Sequence, residues 1–232
     1  MTHTRPLLCV LAMLVASTIF AADHNTLTEA EKREGWLLLF DGKDFNAHWR
    51  NIGKDRVAPN GWVAKDGSLI KPAGVKAGDI ITQKTWTDFE FSWEWKIGPK
   101  GNNGVKYMIL EKRGAIGHEY QMIDDTFHKE PLGATGSFYA VLPAKADKPL
   151  KPVGQWNHSL IKVQGKAVEH WLNGERILSY ELGSAPVLEG VAKSKFKNYS
   201  SFGTKVTGHI LLTDHGDECA FRNLKAREPK AR

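Results

Sequence analysis

Cysteine is nearly missing from this sequence: 232 residues contain two, Cys9 and Cys219. Cys9 falls inside an apolar opening run, so a chain that loses that run keeps one thiol and forms no intrachain disulfide. Stability then has to come from a packed core, for which a 41% hydrophobic content is ample. Beyond residue 22 no apolar stretch is long enough to span a bilayer. Blocks of one charge are scarce as well. Lys and Arg number 32 against 26 Asp and Glu, scattered except for a short basic tail over 225–232. That distribution argues against nucleic acid as a partner.

The opening segment reads as a secretory signal. Arg5 gives a basic start, residues 7–20 are apolar, and Ala21 and Ala22 offer small residues for cleavage. The residue two before the cut is Ile19 or Phe20 rather than a small one, which leaves an uncleaved N-terminal anchor as the alternative. No small-residue lipobox precedes Cys9, so a lipoprotein is not expected. The expected organisation is a signal peptide over 1–22, a helical lead-in over 23–35 and one domain over 36–228. The mature protein is expected to be periplasmic or secreted, free of the membrane, with its oligomeric state open.

In the lead-in, Thr28 followed by Glu31 predicts a capping box, and Gly35 a helix stop. The rest is dominated by strand patterns. WVAKDGSLI predicts a hairpin turning at Asp66-Gly67, and WLNGERILSY another at Asn173-Gly174, both dipeptides suited to a type I′ turn. Residues 87–97 alternate most cleanly: Phe89, Phe91, Trp93, Trp95 and Ile97 share one face, while Glu90, Ser92, Glu94 and Lys96 share the other. Residues 138–142 read as a short strand, 157–181 as a meander, and LEGVAKSKF has helical spacing. About a dozen short strands with little helix predict an all-β sandwich or jelly roll with one short surface helix.

The stretch NNGVKYMILEKRGAIGHEYQMIDD, residues 102–125, carries the strongest site signal. Successive strand side chains point to opposite faces, so Tyr120 and Met122 entering a core would place Glu119 and Gln121 on the other face, roughly 7 Å apart. On the preceding strand the same alternation puts Val105, Tyr107 and Ile109 together, opposite Lys106 and Met108. A carboxylate, an amide and an amine can thus converge on one sheet face; an ordinary solvated face is the competing reading. TDHGD, residues 213–217, sets His215 at a strand end beside Asp214, as an acid-base or ligand candidate or as a hydrogen-bonded turn. His118 falls on the opposite face from Glu119. His158 and His170, beside Trp156 and Trp171, read as sheet or core histidines.

The segments LFDGKDF, GWVAKDGSLI, DFEFSWEWKI, GNNGVKY, HEYQMIDD, GQWNHSLIKVQGKAVEHWLNG, VAKSKF and GHILLTDHGDECAFRNLK follow one another in this order. Together they resemble the 3-keto-disaccharide hydrolase family, a concanavalin-like jelly roll, over nearly the whole chain after residue 35. The resemblance implies cleavage of glycosides already oxidised at C3, with an oxidised carbohydrate as the partner. A C3 ketone acidifies the C2 proton, so the group at C1 can leave by elimination and water can then add. Such a site needs a base near C2, an electrophile near the ketone oxygen and an acid near the leaving oxygen.

Glu119, Lys106 and His215 are the catalytic candidates on this reading, and Gln121, Asp214, Tyr107, Asp124 and Glu94 the substrate-binding ones. A divalent metal held by Glu119, Asp214 and His215 is an alternative to Lys106 as the electrophile. No His-x-x-x-His spacing or Asp-rich calcium loop accompanies it. Glu90 and Glu94, four residues apart on one strand, span roughly 13 Å, too far for a conventional glycosidase pair. The rival classes are a lectin-like module stacking sugars on the aromatic strand face, and a purely structural exported domain.

Overall fold

The computed structural model describes residues 24–230; the expected signal peptide lies outside the described residues. Local chemistry fixes the first elements. The helix α1 (Glu29–Arg33) starts at the Thr28–Glu31 capping box, and the chain leaves it through Gly35 at φ 81°.

Among the described residues thirteen strands follow. The first five are β1 (Leu37–Leu38), β2 (Trp49–Asn51), β3 (Val63–Lys65), β4 (Ser68–Lys71) and β5 (Ile80–Thr82). The long pair β6 (Phe89–Ile97) and β7 (Asn102–Ile109) comes next, then β8 (His118–Ile123). After a crossover the meander β9 (Asn157–Gln164), β10 (Ala167–Leu172) and β11 (Glu175–Glu181) runs into helix α2 (Ala185–Lys193). The strands β12 (His209–Leu212) and β13 (Cys219–Arg227) close the chain. Asp66 and Gly67 at φ 50° and 69°, and Asn173 and Gly174 at 47° and 89°, make the two tight hairpins.

One sheet has the order β11-β10-β9-β6-β13-β4-β3, with β1 added on β13; the other has the order β2-β5-β12-β7-β8. The chain is an all-β jelly-roll sandwich. Between the sheets the aromatic row of β6 is buried: Phe91 stacks on Trp93 at 5.0 Å, and Trp93 meets the edge of Tyr120 at 5.1 Å. Burial on this scale is the main favourable contribution to folding. These rings are therefore not available to stack on a sugar. Residues 138–142, expected as a strand, form a turn with isolated bridges from Phe138 to Tyr120 and Leu142. The helix α2 buries Val187 and Val191 against Phe138, Phe196 and Phe202. Among the described residues no helix is long and apolar enough to cross a membrane.

The alternation expected for β7 fails at one point. Met108 adopts φ 58° and the register against β12 shifts there, a β-bulge that leaves Met108 with Tyr107 on the core side. Ile109 consequently joins Ile81 and Leu211 on the face that carries Lys106.

Candidate active site

The outer face of the five-stranded sheet carries the site. Tyr120 and Met122 enter the core completely, which turns Glu119 and Gln121 to the other side. Lys106 on β7 is the direct cross-strand partner of Glu119 on β8, a spacing that sets their Cβ atoms about 5 Å apart. Both line a cavity of about 440 Å³. Gln121 shares this cavity and donates to Asn102 Oδ1 at 3.1 Å. His215 also lines it, carried by the turn after β12, and is exposed. Four of the expected site residues thus meet in one concavity.

Glu119 is only 6% exposed. Burial pushes its pKa up, the positive charges of Lys106 and Lys195 counter part of that, and Asp79 adds to the rise. A carboxyl held in this way suits proton transfer. Space for it is made by the backbone: the strand carries Gly104 where a side chain would collide with the carboxylate. Thr213 locks β7 to the His215 turn, its Oγ1 accepting from Gly104 N–H at 2.9 Å and its carbonyl from Asn103 Nδ2 at 3.0 Å.

The other expected residues are engaged elsewhere. Tyr107 points into the inter-sheet core, where its hydroxyl bonds Tyr180 and, at 3.0 Å, His170 Nε2; burial raises its pKa. Its partner His170 is a core histidine, as expected, with burial lowering its pKa to about 4. Asp124 caps its own turn, accepting from Thr126 Oγ1 at 2.6 Å and Lys100 N–H at 2.8 Å. Glu94 lies on the other sheet, bonded to Arg222 Nε at 2.7 Å and Asn223 Nδ2 at 2.8 Å. Glu90 is paired there with Arg227. Asp214 forms an ion pair of 2.9 Å with the fully buried Lys71 and accepts from Gly78 N–H at 2.7 Å. Burial pushes the Asp214 pKa up, but these partners outweigh it and leave it lowered. Asp214 is thereby a brace for the His215 turn and not a member of a ligand set with Glu119. Among the described residues no group of three or more His, Cys, Asp and Glu is placed to hold a metal ion.

The cavity walls also bring in residues that strand patterns do not reveal. Lys195, Phe196 and Tyr199 come from the segment after α2, and Tyr139 from the turn after Phe138. The Lys195 ammonium lies 4.6 Å from the Tyr139 ring centre and 3.4 Å from its hydroxyl. The one sequence signal for Lys195 is its place in the segment VAKSKF.

The model of the 3-keto-alpha-glucoside-1,2-lyase-like domain matches residues 35–227. This chain belongs to that family. A 3-keto-disaccharide hydrolase of Bacteroides thetaiotaomicron is similar at 30% identity, over 93% of this chain and 86% of its own. The crystal structure of a proposed glycosyl hydrolase from Parabacteroides distasonis superimposes with a TM-score of 0.79 at 34% identity, covering 90% of this chain and all of that one. The inactivated β-agarase B bound to agaro-octaose, at 9% identity and a TM-score of 0.51 over 81% of this chain and 87% of its own, shares the fold alone. In this member of the lyase-like family, the cavity over β7 and β8 is where carboxylate, amine and imidazole converge.

Proposed function

We propose that this protein is an exported enzyme that cleaves 3-keto-glycosides, including 3-keto-disaccharides, by elimination and hydration. The observation that carries the reading is the buried Glu119 opposite Lys106 on the floor of one cavity, with His215 at its rim. Family membership and the similarity to a named 3-keto-disaccharide hydrolase support the substrate class.

Glu119, ionised, takes the C2 proton; the electron pair forms the enolate, whose oxygen the Lys106 ammonium stabilises. The enolate collapses to a 1,2-ene conjugated with the C3 ketone as the C1–O bond breaks. His215 gives its proton to the departing oxygen. Water then adds at C1, its proton restoring His215, and Glu119, after exchange with solvent, protonates C2, so the net change is addition of one water. No oxocarbenium ion arises, and no second carboxylate is required at conventional glycosidase spacing. Gln121 and Asn102 supply hydrogen bonds for sugar hydroxyls, and Tyr139 and Tyr199 form an aromatic wall. Lys195 adds positive charge beside Glu119.

Incubation of the purified protein with methyl 3-keto-glucoside, followed by NMR, tests the reading. Release of methanol and 3-keto-glucose supports it. An unchanged substrate overturns it.

A further inference from the structure

A second cavity, of about 670 Å³, lies between the segment after β2 and the segment before β5. Its wall is tied directly to the His215 turn. Asp79 Oδ1 accepts from Asp214 N–H at 2.7 Å, while Gly78 N–H donates to Asp214 at 2.7 Å, so residues 78–79 of the second cavity are clamped to the residue preceding His215. The Asp79 charge is felt by Glu119 in the first cavity. Ile81, Leu211 and Ile109 form one apolar cluster with Ile52, which lines the second cavity, and Ala115, which lines the first.

We infer that this second cavity is the leaving-group subsite, and that it favours an apolar ring bearing a carboxylate. The inference rests on the reaction proposed above. The oxygen leaving C1 must sit at His215, and the groups clamped to the His215 turn lead into this cavity. Ile52, Val57 and Ala77 give it an apolar lining suited to a ring. Lys54, Arg56 and Lys76 stand exposed around it, and among the described residues none of them has a carboxylate partner. Two acids, Asp55 and Asp79, line it against these three cations, and Asp79 is held in place by Asp214 N–H. An anionic substituent on the departing ring would find an unpaired ammonium or guanidinium at the cavity edge.

Three substrates separate this assignment from the reaction itself: the methyl, 4-carboxyphenyl and 4-carbamoylphenyl 3-keto-glucosides. Each is assayed with the parent and with Lys54→Ala/Lys76→Ala, two exposed positions outside the first cavity. In the parent, kcat/KM should favour the carboxylate over the amide by about five-fold or more at low salt, and added salt should erode the preference. The double variant should bring the ratio down to that of the parent in high salt, with methyl 3-keto-glucoside turned over at the parent's rate. The change in this ratio between parent and variant, or between low and high salt, compares the same two substrates, so their difference in leaving-group acidity cancels from it. A parent active on the methyl glycoside whose carboxylate-to-amide ratio is unmoved by the double substitution overturns the subsite alone. A parent inert on all three overturns the reaction and the subsite with it.

Discussion

Gly104 and Glu119 compete for one volume: a Cβ at Gly104 would sit 3.1 Å from both Cγ and Cδ of Glu119, and closer still to the carboxylate oxygen. The strand can present a buried carboxylate there because the neighbouring strand has no side chain at that point. Gly104 does not have a positive φ, so Ala is compatible with its backbone. Gly104→Ala should therefore leave the fold intact by circular dichroism and displace the carboxylate. A displacement of this size is expected to lower kcat by about 10²-fold. Parent-like turnover in a folded Gly104→Ala protein would show that Glu119 does not need this position.

The raised pKa of Glu119 gives opposite trends in activity and stability. The base acts when ionised, so kcat/KM should climb with pH through an inflection above the ordinary glutamate value of about 4.3. For stability, a carboxyl whose folded pKa exceeds its unfolded one contributes fully below the unfolded pKa and loses that contribution as pH rises through the folded pKa. Glu119→Gln should consequently melt higher than the parent at pH 7, with the difference shrinking toward pH 4. Thermal scans across that range check it. A variant less stable than the parent at pH 7 contradicts a destabilising buried carboxylate.

Asp214 titrates in the other sense. Its folded pKa is lowered, so its contribution is present above the unfolded value and disappears as pH falls through the folded one. Lys71→Met removes the cation and leaves Asp214 held by backbone donors alone. Breaking a buried pair in this way costs about 3–5 kcal/mol, which for a domain of this size is a fall in melting temperature of roughly 10 °C. The His215 turn would loosen with it, so kcat should drop even where the variant is folded. Chemical denaturation and turnover measured on the same sample test both parts.

Much of this arrangement is legible in the sequence, because strands repeat every two residues and tight turns have few sequences. Asp66-Gly67, Asn173-Gly174 and the aromatic alternation of β6 each determine a local conformation that the fold keeps. The opposition of Glu119 and Lys106 follows from the same alternation, once Tyr120 and Met122 are inside. The bulge at Met108 is not legible, since nothing in a run of apolar residues marks the one that takes φ 58°. Tyr107, expected at the substrate, lies opposite Lys106 by the same alternation, and the fold buries that face against the other sheet. Asp214, expected to contact substrate or a metal, is instead paired with Lys71, which the fold brings to it from β4. Lys195 reaches Glu119 only through tertiary packing of α2, a relation between residues far apart in the chain.

Export is testable without reference to chemistry. If residues 1–22 are a cleaved signal, the protein recovered from the envelope or medium of its cell should begin near Ala22 or Asp23. Sequencing of that N-terminus checks this, and a protein beginning at Met1 or Thr2 contradicts cleavage.

Removal of the C2 proton by Glu119 can be followed by NMR of methyl 3-keto-glucoside turnover in deuterium oxide, with the parent and with Glu119→Gln. The substitution keeps size and hydrogen bonding but removes the basic oxygen. The parent's product should carry deuterium at C2, and the variant should still bind substrate but form that product about 10² to 10⁴ times more slowly. A parent product that retains protium at C2, or a variant working within a few-fold of the parent, would contradict it.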